Sequence, residues 1–454
     1  MLRSAAAGCD MMGRMKKLAV IGGGASGLAA AVAAARELGE RGLDLGPEGE
    51  AEVLVFEADE ERVGRSILVT GNGRCNFSNA HIDAGLYRNG DFAAQVLDGL
   101  AAADGRRRGA GAGRSEAEDP VLAFFADLGL AWREEAEGRL YPLANKASSL
   151  LDVLRAALRD AGGREVPDHR ATSVEASRAE GADDLPRFHI RFADGAIEHV
   201  DAVIVAVGGR AIGGLSLPGG LEPSEMRLVL GPLRTDSALT RRLNNIRVRC
   251  AITLVDADGT PKARERGELL FRGYGVSGIA VFNLSRAAEP GDALLVDFLP
   301  FLEEGRAEPW LYARRSRMAS RRGGLTAEDF LRGLVLPQVG EVLLQAAGLQ
   351  AGSPLQKADV PALARVLTGL PLEVRGIGDE RQCQVARGGL APADFDPATM
   401  GARGTGGLYA AGEALDVDGP CGGYNLHWAW ASGIVAGRAA AARLAGATGA
   451  AQED

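Results

Sequence analysis

The stretch Lys17-Leu18-Ala19-Val20-Ile21-Gly22-Gly23-Gly24-Ala25-Ser26-Gly27-Leu28-Ala29-Ala30 decides the fold of this chain. Residues 17–21, mostly aliphatic, predict a short buried strand, and residues 26–38, rich in Ala, predict a helix. Between them Gly22-x-Gly24-x-x-Gly27 fits a dinucleotide-binding turn. Gly22 would make the tight turn, Gly24 would let the backbone approach a pyrophosphate, and Gly27 would let helix and sheet pack closely. Ala25 and Ser26 would then offer amides at a helix N-terminus, where the dipole favours an anion. Residues 53–57 predict the next strand, and Glu57 at its end is placed to accept hydrogen bonds from an adenosine ribose. It comes later than the usual spacing of about 20 residues because a Gly- and Glu-rich loop, residues 39–52, intervenes. A glycine-rich turn without a ligand is the competing reading of GxGxxG alone. The strand before it, the helix after it and the acid beyond it favour the nucleotide.

Composition sets the class. The chain has 454 residues, of which 46% are hydrophobic, enough for a large core and two or three domains. Its net charge of −9 argues against a general nucleic-acid binder. Five cysteines (Cys9, Cys75, Cys250, Cys383, Cys421) are scattered without a CxxC or a Cys/His cluster, so no metal site and no redox-active disulfide are expected, and a reduced cytoplasm fits best. Residues 18–35 are apolar behind Arg14, Lys16 and Lys17, but four glycines within positions 22–27 suit a strand, turn and helix better than a membrane span. Ala6-Ala7-Gly8-Cys9 looks like a lipoprotein cleavage box but has no apolar segment before it, and Met11, Met12 and Met15 suggest a start further downstream.

Along the chain, residues 104–120 read as a low-complexity loop around Arg106-Arg107-Arg108. Residues 150–161 read as a helix, 187–192 and 197–200 as a hairpin, and 201–207 as an apolar strand ending in Gly208-Gly209. From about residue 210 the texture changes to short strands (247–255, 268–271, 279–284, 293–298), suggesting a barrel or sandwich. Residues 309–367 read as helical, and 406–444 as a strand, a glycine-rich turn and a long final helix.

That last segment narrows the nucleotide to FAD. Ala410-Ala411-Gly412-Glu413 is followed by Asp416-Val417-Asp418-Gly419 and then Gly422-Gly423-Tyr424-Asn425. A late strand, an acid and a glycine-flanked helix start suit the closure of a split domain over a flavin. The acid would meet the ribityl or phosphate region. The amides at Gly422 and Gly423 would approach the flavin pyrimidine edge and stabilise negative charge there. Ala206-Val207-Gly208-Gly209 reads as the crossover that brings the chain back near the cofactor.

These motifs resemble the BaiN/RdsA type of NAD(P)/FAD-dependent oxidoreductases, also described as the aminoacetone-oxidase or YhiN-like family, over nearly the whole chain. The most specific feature is Gly71-Asn72-Gly73-Arg74-Cys75-Asn76 with Asn79. It is joined by Tyr141-Pro142 with Lys146-Ala147-Ser148-Ser149, by Gly267-Glu268 through Ser277-Gly278, and by residues 412–425. The chain departs from the pattern at the short 210–220 turn, at Arg272-Gly273 and at Ile279. The resemblance implies an α/β fold: a split Rossmann-like FAD-binding domain (16–209 and 388–446), an inserted β-barrel-like substrate domain (210–305, returning at 371–387), and a helical domain inserted in turn (306–370). Expected cofactor contacts are Gly22, Gly24, Ala25, Ser26, Gly27, Glu57, Arg65, Asn72, Arg74, Cys75, Asn76, Val174, Gly208, Gly412, Glu413, Asp416, Gly423, Asn425 and Leu426.

The expected reaction passes a hydride between flavin N5 and a small organic substrate held between the flavin and the barrel. It is either reduction of a conjugated enone in a steroid-like acid or oxidation of an amino ketone. With one dinucleotide turn in the chain, NAD(P)H would visit only transiently. Arg74 could bind phosphate or an anionic substrate. His427, in the first turn of the last helix, is a candidate acid, although helix packing is the favoured role. Cys75 suits packing better than nucleophilic attack, and Cys421 could approach the flavin. The rival reading is a non-catalytic flavin-binding protein whose run Arg314, Arg315, Arg317, Arg321, Arg322 forms a partner or RNA surface. The oligomeric state is left open.

Overall fold

A computed structural model describes residues 14–108, 119–177, 187–319 and 324–446. Cys9 and its neighbouring box, Met11, Met12, most of the 104–120 stretch, and Arg321 and Arg322 lie outside the described residues. The chain forms two compact units, residues 1–227 with 386–454, and residues 228–385.

The first unit is built on a seven-stranded sheet. In spatial order its strands are Phe395–Asp396, Gly401–Ala402, Leu408–Ala410, Ala202–Val205, Lys16–Ile21, Ala51–Phe56 and Arg164–Val166. The last five run parallel, with Leu18 opposite Ala202 and Val53, and Val203 opposite Leu408. Parallel strands are covered on both faces, and here Leu18, Val20, Val55, Val203 and Ile204 are fully buried. The opening helix Ala25–Glu40 and the closing helix Tyr424–Gly446 pack on this sheet. The chain leaves Ile21 toward one side and reaches Val205 on the other, which makes the strand ends there a topological switch point, the usual ligand crevice of such sheets. Bonds run sideways across it: Gly22 donates to Phe56, Ala206 to Ile21, and Ala411 to Val205.

The second unit is a closed six-stranded barrel of Leu233–Thr235, Gly275–Ser277, Pro261–Arg272, Arg247–Val255, Ala293–Asp297 and Leu370–Ile377. Strand Leu370–Ile377 alternates buried Leu370, Leu372 and Val374 with exposed Pro371 and Glu373, the period of a half-buried strand. Between its fifth and sixth strands in the chain come the helices Ala307–Met318, Ala327–Leu331, Pro337–Ala346 and Val360–Thr368.

Four expectations change. The barrel unit starts at Leu228 and not at residue 210, because Ile212 and Leu215 are buried in the first unit's core. The helices do not form a unit of their own: Leu343, Leu363 and Leu367 share one core with Ile252 and Leu294 of the barrel. Residues 279–284 are not a strand but the helix Ile279–Ser285. Its buried Ala280, Val281, Leu284 and Ser285 recur at helical spacing after Gly278, whose φ of 112° ends the preceding strand. Residues 104–108 finish the helix Gly90–Arg108, where Arg107 pairs with Glu37 and Glu40.

Candidate functional site

The turn after the first strand divides its glycines by task. Gly22 has φ of 103°, and a Cβ there would run into the Ala206 carbonyl across the switch point. A Cβ on Gly27 would run into the Gly22 carbonyl itself. Both are required by the protein's own packing. Gly24 differs: a Cβ there would meet only Ser66 Oγ, at 3.2 Å. Gly24 also caps the opening helix without a side-chain bond, and no acid lies in the first turn, so the helix end is left for an anion. Glu57 lies at the mouth of this turn, accepting from the Gly23 amide at 2.9 Å and from the Asp59 amide at 3.0 Å. Asp59 in turn binds the exposed Arg65 at 2.8 Å. Gly208 (φ 75°) has open space around it, as a backbone bordering a ligand would.

The second half of the site arrives from the far end of the chain. A Cβ on Gly412 (φ 67°) would collide with Ser26 Oγ, so the Ser26 side chain packs at this junction while its amide stays in the first turn of the opening helix. Gly433 packs on the Ser26 carbonyl and Gly437 on the Ala30 carbonyl. Equal steps of four in the same direction make the two helices parallel. Gly433 is nine residues past Tyr424 while Ser26 is one past Ala25. At 1.5 Å per residue the closing helix therefore projects about 12 Å beyond the opening one. Two positive helix ends, facing the same way and offset along one crevice, suit an extended dinucleotide.

Around the closing helix the side chains mostly bind the protein itself. Gly71 and Asn72 are both left-handed, as are Gly73 and Cys75, and coil the chain tightly. Asn76 then bridges outward: its oxygen accepts from the Gly423 amide at 3.1 Å, and its nitrogen donates to the Leu140 and Ser78 carbonyls. The Gly423 amide is thus taken, and the first amides left to a ligand are those from Tyr424 onward. Gly423 (φ 101°) is still obligatory, because a Cβ would strike the Ser78 carbonyl. Asn425 reaches back, accepting from the Gly419 amide and donating to its carbonyl, at 2.8 and 2.9 Å. Leu426 is half-buried beside it. Arg74 lies on the Tyr141 ring at 4.2 Å, with Nε donating to Asn145 at 2.6 Å and one terminal nitrogen to Glu135.

Three of the expected residues are closed in by the protein itself. His427 is 1% exposed, with Nδ1 against Ser78 Oγ at 2.9 Å and Nε2 3.6 Å from Asp119. Burial lowers its basicity against the opposing pull of Asp119, and no substrate can reach it. It is a packing histidine. The Cys75 thiol is fully buried and pushed up to about 11 by that burial, so it stays protonated and inert. Val174 is buried, and its amide donates to the Ser216 carbonyl.

The acids sort themselves similarly. Asp416 accepts from Arg88 Nε at 2.9 Å and from the Gly388 amide at 3.0 Å, and is structural. Asp418 holds Arg387 through two bonds of 2.8 Å, a pairing the sequence reading missed, though the Asp-x-Asp spacing was in view. Glu413 is the exception. Burial, aided by nearby Asp418, pushes its carboxyl up to about 7 against the amides of Ala386 and Gly209. Among the described residues no group of three or more His, Cys, Asp or Glu is arranged to hold a metal. Nor is any described helix long and apolar enough to cross a membrane.

The Rossmann-domain model of the HI0933-like proteins matches residues 16–439. The chain belongs to the HI0933-like family. It is 33% identical over 452 residues to the 3-dehydro-bile acid delta(4,6)-reductase of Clostridium scindens, covering 94% of this chain and 100% of the relative. It is 27% identical over 434 residues to the ribosomal RNA dihydrouridine synthase of Escherichia coli, covering 91% and 95%. Among solved structures, the 3-ketosteroid delta1-dehydrogenase of Sterolibacterium denitrificans aligns with a TM-score of 0.44 at 14% identity, covering 94% of this chain and 100% of that one. The resemblance carried by the Gly-Arg-Cys-Asn loop is thereby established, and this HI0933-like chain is an oxidoreductase of the flavoprotein type.

Proposed function

We propose that this protein binds FAD in the strand-end crevice and reduces a carbon–carbon double bond conjugated to a carbonyl. The observation that carries the reading is the pair of parallel helix ends, one left uncapped at Gly24 and one offset by about 12 Å. The diphosphate would lie over the amides that follow Gly24, with Glu57 accepting from the adenosine ribose. Amides from Tyr424 onward would favour negative charge at the far end. Glu413, whose carboxyl burial pushes up to about 7, would accept a hydrogen bond from a ribityl hydroxyl. Bound there, the flavin would supply the hydride, and the protein's part is to position substrate and tune the potential. One dinucleotide turn implies that NAD(P)H docks transiently and not in a domain of its own. The thiols of Cys75, Cys250, Cys383 and Cys421 fit a cytoplasmic setting.

The relatives' names favour enone reduction over amino-ketone oxidation. Delta-4,6 bonds of a 3-oxo bile acid are conjugated to a carbonyl, and so is the double bond of uracil. An RNA substrate is therefore the second reading, favoured by the dihydrouridine synthases. Against an RNA surface on the arginine run, Arg314 donates to the Phe330 and Arg332 carbonyls and Arg315 to that of Leu355. The test is anaerobic stopped-flow of the yellow protein. NADPH or NADH should bleach the flavin, and a steroid enone should restore its colour. Recolouring by a uridine-containing ribosomal RNA fragment but not by enones would favour the second reading.

A further inference from the structure

The corner around Arg74 holds more cation than it uses. Arg74 and Arg133 both bind the same oxygen of Glu135: Arg133 through Nε at 3.2 Å and a terminal nitrogen at 2.9 Å, Arg74 through one terminal nitrogen. Arg133 commits its remaining nitrogen to the Leu143 carbonyl. Arg74, with Nε on Asn145, keeps its other terminal nitrogen without a hydrogen bond among the described residues. Arg133 and then Arg74 hold Glu135 below the ordinary carboxylate value, as an excess of positive charge would. Glu134, the next acid, points to the opposite face of strand Trp132–Glu135. Lys146, at the exposed end of the Pro142–Asn145 turn, has no ion pair among the described residues and adds a further charge.

Beside these cations lie exposed apolar groups. Leu143, in the same turn as Asn145, is 58% exposed, and Val69, at the foot of the Thr70–Gly73 turn, is 74% exposed. The corner is tied to the flavin end of the crevice, since Asn76, two residues past Arg74, holds the Gly423 amide. A guanidinium clamped flat on a ring, with a donor to spare and apolar neighbours, matches an apolar molecule that ends in a carboxylate.

We infer that the Arg74–Lys146 corner is an anion subsite that receives the carboxylate of an apolar acid substrate. The inference rests on the proposed reductase reading for its place beside the flavin. It departs from it in assigning substrate charge to named residues. A phosphodiester would satisfy the cations equally, but it would leave Val69 and Leu143 facing water.

The test is calorimetry of the flavin-loaded protein with dehydrocholate, a saturated oxo bile acid, and with its methyl ester. The acid should bind about tenfold tighter than the ester, the worth of one charge-assisted contact. Arg74→Met should remove that preference. Lys146→Ala, at an exposed residue without a packing role, should reduce it about threefold, the scale of an exposed ion pair. Neither variant should weaken the ester. Equal binding of acid and ester by the wild-type protein, or no binding of either, would overturn the inference. So would a ribosomal RNA fragment that binds tightly, loses affinity in Lys146→Ala and leaves dehydrocholate unbound. Turnover is read separately: a protein that prefers the acid through Arg74 but reduces no enone would sink the reductase reading and leave the subsite standing.

Discussion

Two glycine-bearing turns frame the crevice, and they are held in different ways. In the first, Gly27 is forced within the turn by the Gly22 carbonyl, while Gly22 is forced by the Ala206 carbonyl across the switch point. In the second, Gly412 is forced by Ser26 and Gly423 by Ser78, hundreds of positions away. The first turn is closed partly within itself, at Gly27, and partly across the switch point, at Gly22. The second is a long-range weld that brings the two ends of the chain together before any ligand arrives. Within the first turn Gly24 alone is spared by the protein, which marks where the cofactor, and not the fold, imposes glycine.

The largest effects should separate those tasks. Gly27→Ala puts a methyl group into the Gly22 carbonyl and should cost about 3 kcal/mol or more, seen as lost soluble yield and a lower melting temperature. Gly24→Val should leave the apoprotein within about 1 kcal/mol of its parent by denaturant melt while abolishing flavin binding. An unstable Gly24→Val apoprotein would erase the distinction between the two glycines.

Glu413 gives the next effect. Its folded value of about 7 stands above the ordinary 4.5, so the folded apoprotein holds a proton that the unfolded chain has lost. Stability from this group is therefore full below about pH 4.5 and declines as pH rises to about 7, by at most about 3 kcal/mol at 1.36 kcal/mol per unit. Glu413→Gln should flatten that slope in apoprotein melts. FAD hydroxyls would favour the ionised form, so FAD affinity should rise between pH 6 and 8 in the parent and not in the variant.

Smaller effects probe the second turn. Asn76→Ala strands the Gly423 amide and should cost about 1–3 kcal/mol. Loosening the helix end should also lower the flavin potential by roughly 10–40 mV, taking 0.3–1 kcal/mol and up to about 2 for a helix terminus. Asn425→Ala breaks only the local clasp on Gly419 and should shift the potential less. Gly423→Pro is a poor probe, since it would strike Ser78 and unfold the weld first.

What was legible follows the same division. The strand, turn and helix at residues 16–40 were plain because local periodicity and local contacts agree there. The strand ending at Phe56, just before Glu57, was legible despite the long loop. Packing was the favoured reading of His427, but nothing in the sequence announces Ser78 and Asp119 as the residues closing on it. The run 279–284 was misread because a short apolar stretch carries no decisive period. The packing of the Ser26 side chain on Gly412 was invisible, because Gly412 lies 386 positions on. The Arg387–Asp418 pair was invisible for the same reason.

The most direct test of the account is to denature the purified protein, identify the flavin released, and then mix the native, anaerobically reduced protein with a steroid enone. The account predicts FAD, and recolouring of the flavin with appearance of the saturated ketone in equal amount. Release of FMN, or a reduced flavin that no conjugated carbonyl reoxidises, would contradict it.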